Sequence, residues 1–223
     1  MSRGLGDVYK RQFLGSIAMT EKLAEGGGVF LPRQFSNEDN TETHYLYTGE
    51  EISRQLAAMG LKADGIVAGV GTGGTVMGIG RRLRKDNADC KVFPLEPLNS
   101  PTLSTGYRVG KHRIQGISDE FIPDILKLDE TDAVVSVDDI DSIIMAQMLS
   151  RNFGIGVGIS SGANMLGCIL AQEKLGKDST IVTVFADDNK KYLSTDYSEE
   201  FEVKEEYLTH DIVLTDVIAH RYE

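Results

Sequence analysis

The chain has 223 residues, 41% of them hydrophobic, and 23 Lys and Arg against 34 Asp and Glu leave a net charge of −11. That balance suits a folded protein and excludes collagen-like, mucin-like and disordered-tail classes. Nucleic-acid binding is disfavoured by the negative field, since the densest basic run, Arg81-Arg82-Leu83-Arg84-Lys85, has the spacing of a solvated helix end.

Residues 1–13 show no hydrophobic period and read as an unmatched lead-in without the apolar core of a signal peptide. No stretch approaches the roughly 18 consecutive apolar residues of a membrane span. Cys90 and Cys168 are too few for a disulfide framework or a zinc site, and His44, His112, His210 and His220 lack metal-ligand spacing, so no metal and a cytoplasmic location are expected. From Gly15 to Glu25, Ile17, Ala18, Leu23 and Ala24 suit an amphipathic helix that Gly26-Gly27-Gly28 ends, and Val29–Leu31 reads as a short strand. Asn37–Thr43 reads as a polar loop. Thr48, with Glu51 three residues later, has the capping-box spacing for a helix running to Met59.

Gly65–Gly69 is a short apolar strand, Thr75–Arg84 a helix introduced by glycines, and Lys91–Glu96 the next strand, which together make a right-handed βαβ unit. The alternation repeats with a strand at Ala133–Val137, a helix at Asp138–Arg151 and a helix at Ser160–Leu175. Thr180–Phe185 is then an apolar run of the kind buried in a parallel sheet. The expected fold is α/β, a doubly wound, mostly parallel sheet with helices on both faces. Acidic residues dominate from Asp196 (196–223), although Ile212–Ile218 is apolar enough to pack.

Gly69-Val-Gly71-Thr-Gly73-Gly74 satisfies G-x-G-x-x-G between a strand and a helix, and Glu96 ends the next strand, which is the dinucleotide fingerprint in outline. The physics is broader: closely spaced glycines let backbone N–H groups converge on any phosphate at a helix N-terminus. Thr72 and Thr75 add two hydroxyls, which favours a compact monophosphate over a pyrophosphate. Glu96, followed by Pro97, is open to a ribose contact or to bonds with nearby backbone. Ser160 and Ser161, between glycines, read as a helix N-cap.

Gly69-Val-Gly-Thr-Gly-Gly-Thr75, Leu95-Glu-Pro97, His112-Arg-Ile-Gln-Gly-Ile117 with Phe121-Ile-Pro123, Gly158-Ile-Ser-Ser-Gly-Ala163 and Lys191-Tyr-Leu-Ser-Thr195 occur in one order along the chain, preceded by Gln34-Phe-Ser-Asn37, His44 and Thr48-Gly49. In these motifs the chain resembles the cysteine synthase family of fold type II pyridoxal 5'-phosphate enzymes, over about residues 14–195. The resemblance implies that 14–45 is the remnant of a small domain and 46–195 the large cofactor-binding domain. It implies that Gly71, Thr72, Gly73, Gly74 and Thr75 hold the cofactor phosphate and that Gln115, Gly116 and Ile117 lie near the substrate. The implied reaction replaces the β-substituent of a serine derivative, O-acetylserine plus sulfide giving cysteine, in a homodimer whose small-molecule partners are the amino acid and sulfide or a thiol.

Three departures accompany the resemblance. The family's Schiff-base lysine lies in a segment ahead of the matched part, and none of these lysines stands in its context, so the chain as given is expected to be inactive. Where most members have a serine at the pyridine nitrogen, the count here reaches Asp188, or Asp187 if it slips by one, and a carboxylate there would favour the protonated ring. Ser118-Asp119-Glu120 replaces small residues, so Asp119 is either a base that widens the chemistry toward serine or cysteine, including hydrogen sulfide release, or a surface charge. A cystathionine β-synthase-like enzyme, a nucleotide-binding Rossmann module and a non-catalytic binding protein are the alternatives.

Overall fold

Four strands, β1 (Gly65–Gly69), β2 (Lys91–Pro97), β3 (Val135–Val137) and β4 (Ile181–Val182), form one parallel sheet in the order β3-β2-β1-β4 in the computed structural model, which describes residues 12–117 and 121–220. Strand β1 is central and apolar on both faces, as a parallel strand covered by helices on each side must be. Alternate side chains leave the sheet in opposite directions. Val67, Phe93 and Leu95 enter a core with the helices Asp139–Phe153 and Ile159–Leu175. Ile66, Ala68 and Val92 enter a second core with the helix Gly74–Asp86 and Leu56. The architecture is therefore doubly wound, with a core on each face.

The helix starts are built from local chemistry. Asp138 accepts from the N–H groups of Ile140 (2.8 Å) and Asp141 (3.1 Å), capping the helix Asp139–Phe153, and Gly154 ends it at φ 69°. Gly78 lets the next layer approach, because a Cβ there would lie 2.4 Å from the Thr41 carbonyl oxygen.

Several local expectations are corrected. Val29–Leu31 pairs with no described strand and is irregular. The segment expected as a loop is helical from Asp39, and a continuous helical run continues through a π-helical stretch, His44–Gly49, into Glu50–Ala58. Thr48 therefore caps nothing; its hydroxyl lies 3.0 Å from His44 Nδ1 instead. The strand expected over Thr180–Phe185 shrinks to Ile181–Val182; beyond it the Val67 carbonyl of β1 accepts from the Thr183 hydroxyl (2.7 Å). The helix Gln12–Ala24 forms as expected, but Leu14, Met19 and Leu23 on it are exposed.

The acidic segment after Asp196 is docked. Phe201, Leu208, Ile212 and Leu214 pack on the core, and buried Asp141 accepts from Leu208 N (2.8 Å), Thr209 N (3.2 Å) and Thr209 Oγ1 (2.5 Å).

Candidate active site

At the carboxyl end of β1 the chain turns through Gly69–Thr75 into the helix Gly74–Asp86, the place where a doubly wound sheet binds ligands. Side chains are excluded at key points of this turn. Gly73 adopts φ 90°, a left-handed angle costly to any residue with a Cβ, while a Cβ on Gly71 would lie 2.6 Å from the Gly116 carbonyl oxygen and one on Gly74 2.2 Å from Asn40 Oδ1. The N–H groups of Gly71, Thr72 and Gly73 donate to no other described residue and stand at the start of a helix. That is a preorganised anion cradle.

The two hydroxyls of the loop are held from behind. Asn40 Nδ2 donates to Thr72 Oγ1 (3.0 Å), which also accepts from Gly74 N (3.2 Å). His44 Nε2 lies 3.2 Å from Thr75 Oγ1, so the helical run at Asp39–Gly49 orients both threonines. Burial lowers the His44 pKa below 6.5, and burial does the same to His112 against a smaller opposing pull from Asp139. The sign of the resulting pH dependence is fixed. An unfolded imidazole takes a proton near pH 6.5 while the folded one does not, so folding loses stability as pH falls from about 6.5 through the lowered values. Urea unfolding from pH 7.5 to 5 should show that decline, and a His44→Asn, His112→Asn double variant should show a shallower one.

A cavity of about 520 Å³ opens beside the loop, lined by Gly71, Thr72 and Thr75, by Gln115, Gly116 and Ile117, and by Ser160, Asn164, Ala186, Asp187 and Lys191. Asn164 ties its floor together, accepting from Gly69 N (2.8 Å) and donating to the Val184 carbonyl (2.8 Å). On the same lining, Asp187 Oδ2 accepts from the Tyr192 hydroxyl (3.1 Å) and pairs with Lys191 Nζ (2.8 Å), while Asp187 Oδ1 is buried against Gly158 with no hydrogen-bond partner among the described residues. The hydrogen bond to Asp187 raises the Lys191 pKa, which keeps that amine protonated.

The structure thus brings together Gly71, Thr72, Gly73, Gly74 and Thr75 in one loop, with Gln115, Gly116 and Ile117 on the wall beside it. Asp188 is not brought there. Its carboxylate is exposed, accepts from Lys190 N (2.9 Å) and caps the turn before Tyr192, whereas Asp187, one residue earlier, faces the cavity. The isolated antiparallel bridge between Val157 and Asp188 sets this orientation, since neighbouring side chains on an extended segment point to opposite sides. Asp119 lies outside the described residues. Ser160 and Ser161 do not cap their helix; Gly158 is the capping residue, which leaves Ser160 in the first turn facing the cavity and Ser161 Oγ buried with no hydrogen-bond partner among the described residues.

Sequence reasoning passed over Asn40, Asn164 and Lys191 as site residues. Ser160 and Asn164 share a helix face by their i, i+4 spacing, a signal that was available; Asn40 lies in a different layer of the fold, where no local spacing points to the loop.

Glu96 separates the ligand classes. It is 1% exposed, and its oxygens accept from Leu103 N (2.7 Å), Ser104 Oγ (2.6 Å) and Ser136 Oγ (3.0 Å). A carboxylate so engaged has no capacity left for a ribose diol, so the dinucleotide fingerprint lacks its acidic member.

Residues 7–187 match the family described as pyridoxal-phosphate dependent enzyme. A cysteine synthase of Staphylococcus aureus is 39% identical over 181 residues, 81% of this chain and 57% of that protein. The crystal structure of a hydrogen sulfide-producing enzyme from Fusobacterium nucleatum is 59% identical with a TM-score of 0.90, covering 94% of this chain and 63% of that one. An O-acetylserine dependent cystathionine β-synthase from Helicobacter pylori is 31% identical with a TM-score of 0.76, covering 83% and 59%. The chain therefore spans less than two thirds of the length of each of these relatives.

Proposed function

The chain belongs to the pyridoxal-phosphate dependent enzyme family, and from that premise we propose that its cavity holds pyridoxal 5'-phosphate and serves exchange of the β-substituent of a serine or cysteine derivative. One observation carries the reading: a single cavity is lined both by the glycine-threonine loop and by Asp187, whose carboxylate Tyr192 and Lys191 hold in place. Gly71, Thr72, Gly73, Gly74 and Thr75 would take the phosphate. Asp187, in place of Asp188, would take the protonated ring nitrogen, with Tyr192 and Lys191 holding its carboxylate in place. When bound, the cofactor supplies the electron sink that lets an α-proton leave.

Lys191 stays protonated against Asp187 and so supports that carboxylate rather than acting as a nucleophile. Gln115, Gly116 and Ile117 would form the wall over the amino-acid substrate and exclude water from it.

A second reading of the reaction's direction rests on a specific comparison. Identity to the hydrogen sulfide-producing enzyme is 59%, against 39% to the cysteine synthase, which favours cysteine as substrate with sulfide released. Asp119 is the base proposed for that chemistry.

The test is an absorbance titration of the chain with pyridoxal 5'-phosphate beside NAD. Saturable binding of pyridoxal phosphate alone, with no borohydride-stable adduct on Lys191, is the expected result. Binding of NAD, or of neither, would overturn the reading.

A further inference from the structure

We infer that Arg113 is a positioning residue through which the acidic segment after Asp196 sets the wall of the cavity. This deepens the proposed function and rests on it for the identity of the ligand. Residues 7–187 match the family, so the groups that hold Arg113 lie beyond the matched part of the chain. Arg113 Nη2 pairs with Asp196 Oδ1 at 2.5 Å and with Glu199 Oε2 at 3.0 Å, and the guanidinium carbon sits 5.2 Å from the centre of the Phe201 ring. Three groups from one short segment grip one side chain.

The grip is held firmly at its far end. Buried Gln147 donates to the carbonyls of Asp196 (2.8 Å) and Glu199 (3.0 Å), which fixes that segment to the helix Asp139–Phe153 without any help from Arg113. The Asp196 side chain is 8% exposed, so its charge needs a partner at that spot, and a guanidinium offers more than one N–H to share between two carboxylates. On its own backbone Arg113 donates to Asp139 Oδ2 at 2.8 Å. Side chain and main chain of this residue are thus both anchored.

The residues just after Arg113 form the wall itself. Ile114 is fully buried, Gly116 turns at φ 85°, and the Gly116 carbonyl oxygen closes on the space above Gly71 of the anion cradle. Ile117 Cγ2 would lie 2.7 Å from a Cβ on Gly69, so the same turn also rests on the end of β1. Gln115 and Gly116 are exposed, and the Gln115 side chain makes no hydrogen bond among the described residues. The turn is pinned by buried Ile114 and Ile117 on either side, and Arg113 holds the approach to it.

Hydrogen exchange of the 223-residue chain tests this without any ligand. In Arg113→Ala, amides of residues 114–117 should exchange at least about tenfold faster while β1 and the helix Gly74–Asp86 keep their protection. Arg113→Lys should recover part of it, and Glu199→Gln, which leaves the buried Asp196 partner in place, should give a smaller change of the same sign. Unchanged exchange at 114–117 in all three variants would overturn the inference, as would uniform loss of protection across the sheet in the lysine and glutamine variants. Added pyridoxal 5'-phosphate should bind Arg113→Ala more weakly than the parent chain by a factor larger than the accompanying loss for inorganic phosphate. If the parent chain binds no pyridoxal phosphate, the proposed function fails, and exchange at 114–117 still decides the role of Arg113.

Discussion

Gly71→Ala should weaken pyridoxal 5'-phosphate binding by roughly five- to 150-fold, the affinity equivalent of the 1–3 kcal/mol that overpacking costs. The new methyl group would meet the Gly116 carbonyl oxygen at 2.6 Å, and a backbone carbonyl cannot swing aside as the tip of a flexible side chain can. Either the cradle or the Gln115–Ile117 turn has to move by several tenths of an ångström, and both moves displace groups aimed at the ligand. Gly15→Ala is the control, because a Cβ there meets nothing within 4 Å among the described residues and lies in the helix Gln12–Ala24, far along the chain from the cradle. Equal affinity of the Gly71→Ala and parent chains, measured by absorbance titration, would remove the loop from the binding site.

Glu96→Ala should cost about 3 kcal/mol of stability, lowering the melting temperature by roughly 6–12 °C in a domain of this size. The carboxylate gathers Leu103 N, Ser104 Oγ and Ser136 Oγ beneath the sheet's carboxyl edge, and alanine leaves those donors facing a void. Hydrogen bonds to a buried charge are worth about 1.5–3 kcal/mol each, but water entering the void would return part of the loss. Glu96→Gln keeps one acceptor oxygen and should fall between alanine and the parent in urea unfolding. A Glu96→Ala chain as stable as the parent would mean that this carboxylate is spare, and the nucleotide-binding alternative would return with it.

The sheet was readable because its signals are local. Gly65–Gly69 and Lys91–Pro97 are short apolar runs bounded by polar and glycine residues, and the helix Gly74–Asp86 between them is started by the glycine turn. The length of β4 was not readable, since Thr180–Phe185 is mostly apolar and the ladder ends at Val182, where the Thr183 hydroxyl bonds the Val67 carbonyl, a contact across more than a hundred residues. The same logic separates the two aspartates. Counting back from Tyr192 cannot tell whether Asp187 or Asp188 faces inward, because that depends on the Val157–Asp188 bridge across about 30 residues of chain. Thr48 misled for a related reason: Thr-x-x-Glu is a capping box only if the helix starts there, and the contact between Gly78 and Thr41 carries the helical run upstream instead. The glycine turn, by contrast, was legible in the sequence, as Gly73 needs its left-handed angle and Gly71 and Gly74 leave no room for a Cβ.

The strand order β3-β2-β1-β4 also bears on how the chain is made. During synthesis β1 and β2 leave the ribosome together, whereas β4, the other neighbour of β1, emerges about 110 residues later; at 5–20 residues per second the interval is roughly 6–22 s. Throughout that interval the central strand of the finished sheet is an edge strand, with Gly65 and Ile66 offering unpaired backbone to any extended segment nearby. A nascent chain arrested before Ser179 should therefore bind chaperones that capture open strands, and release should coincide with the emergence of Ile181 and Val182.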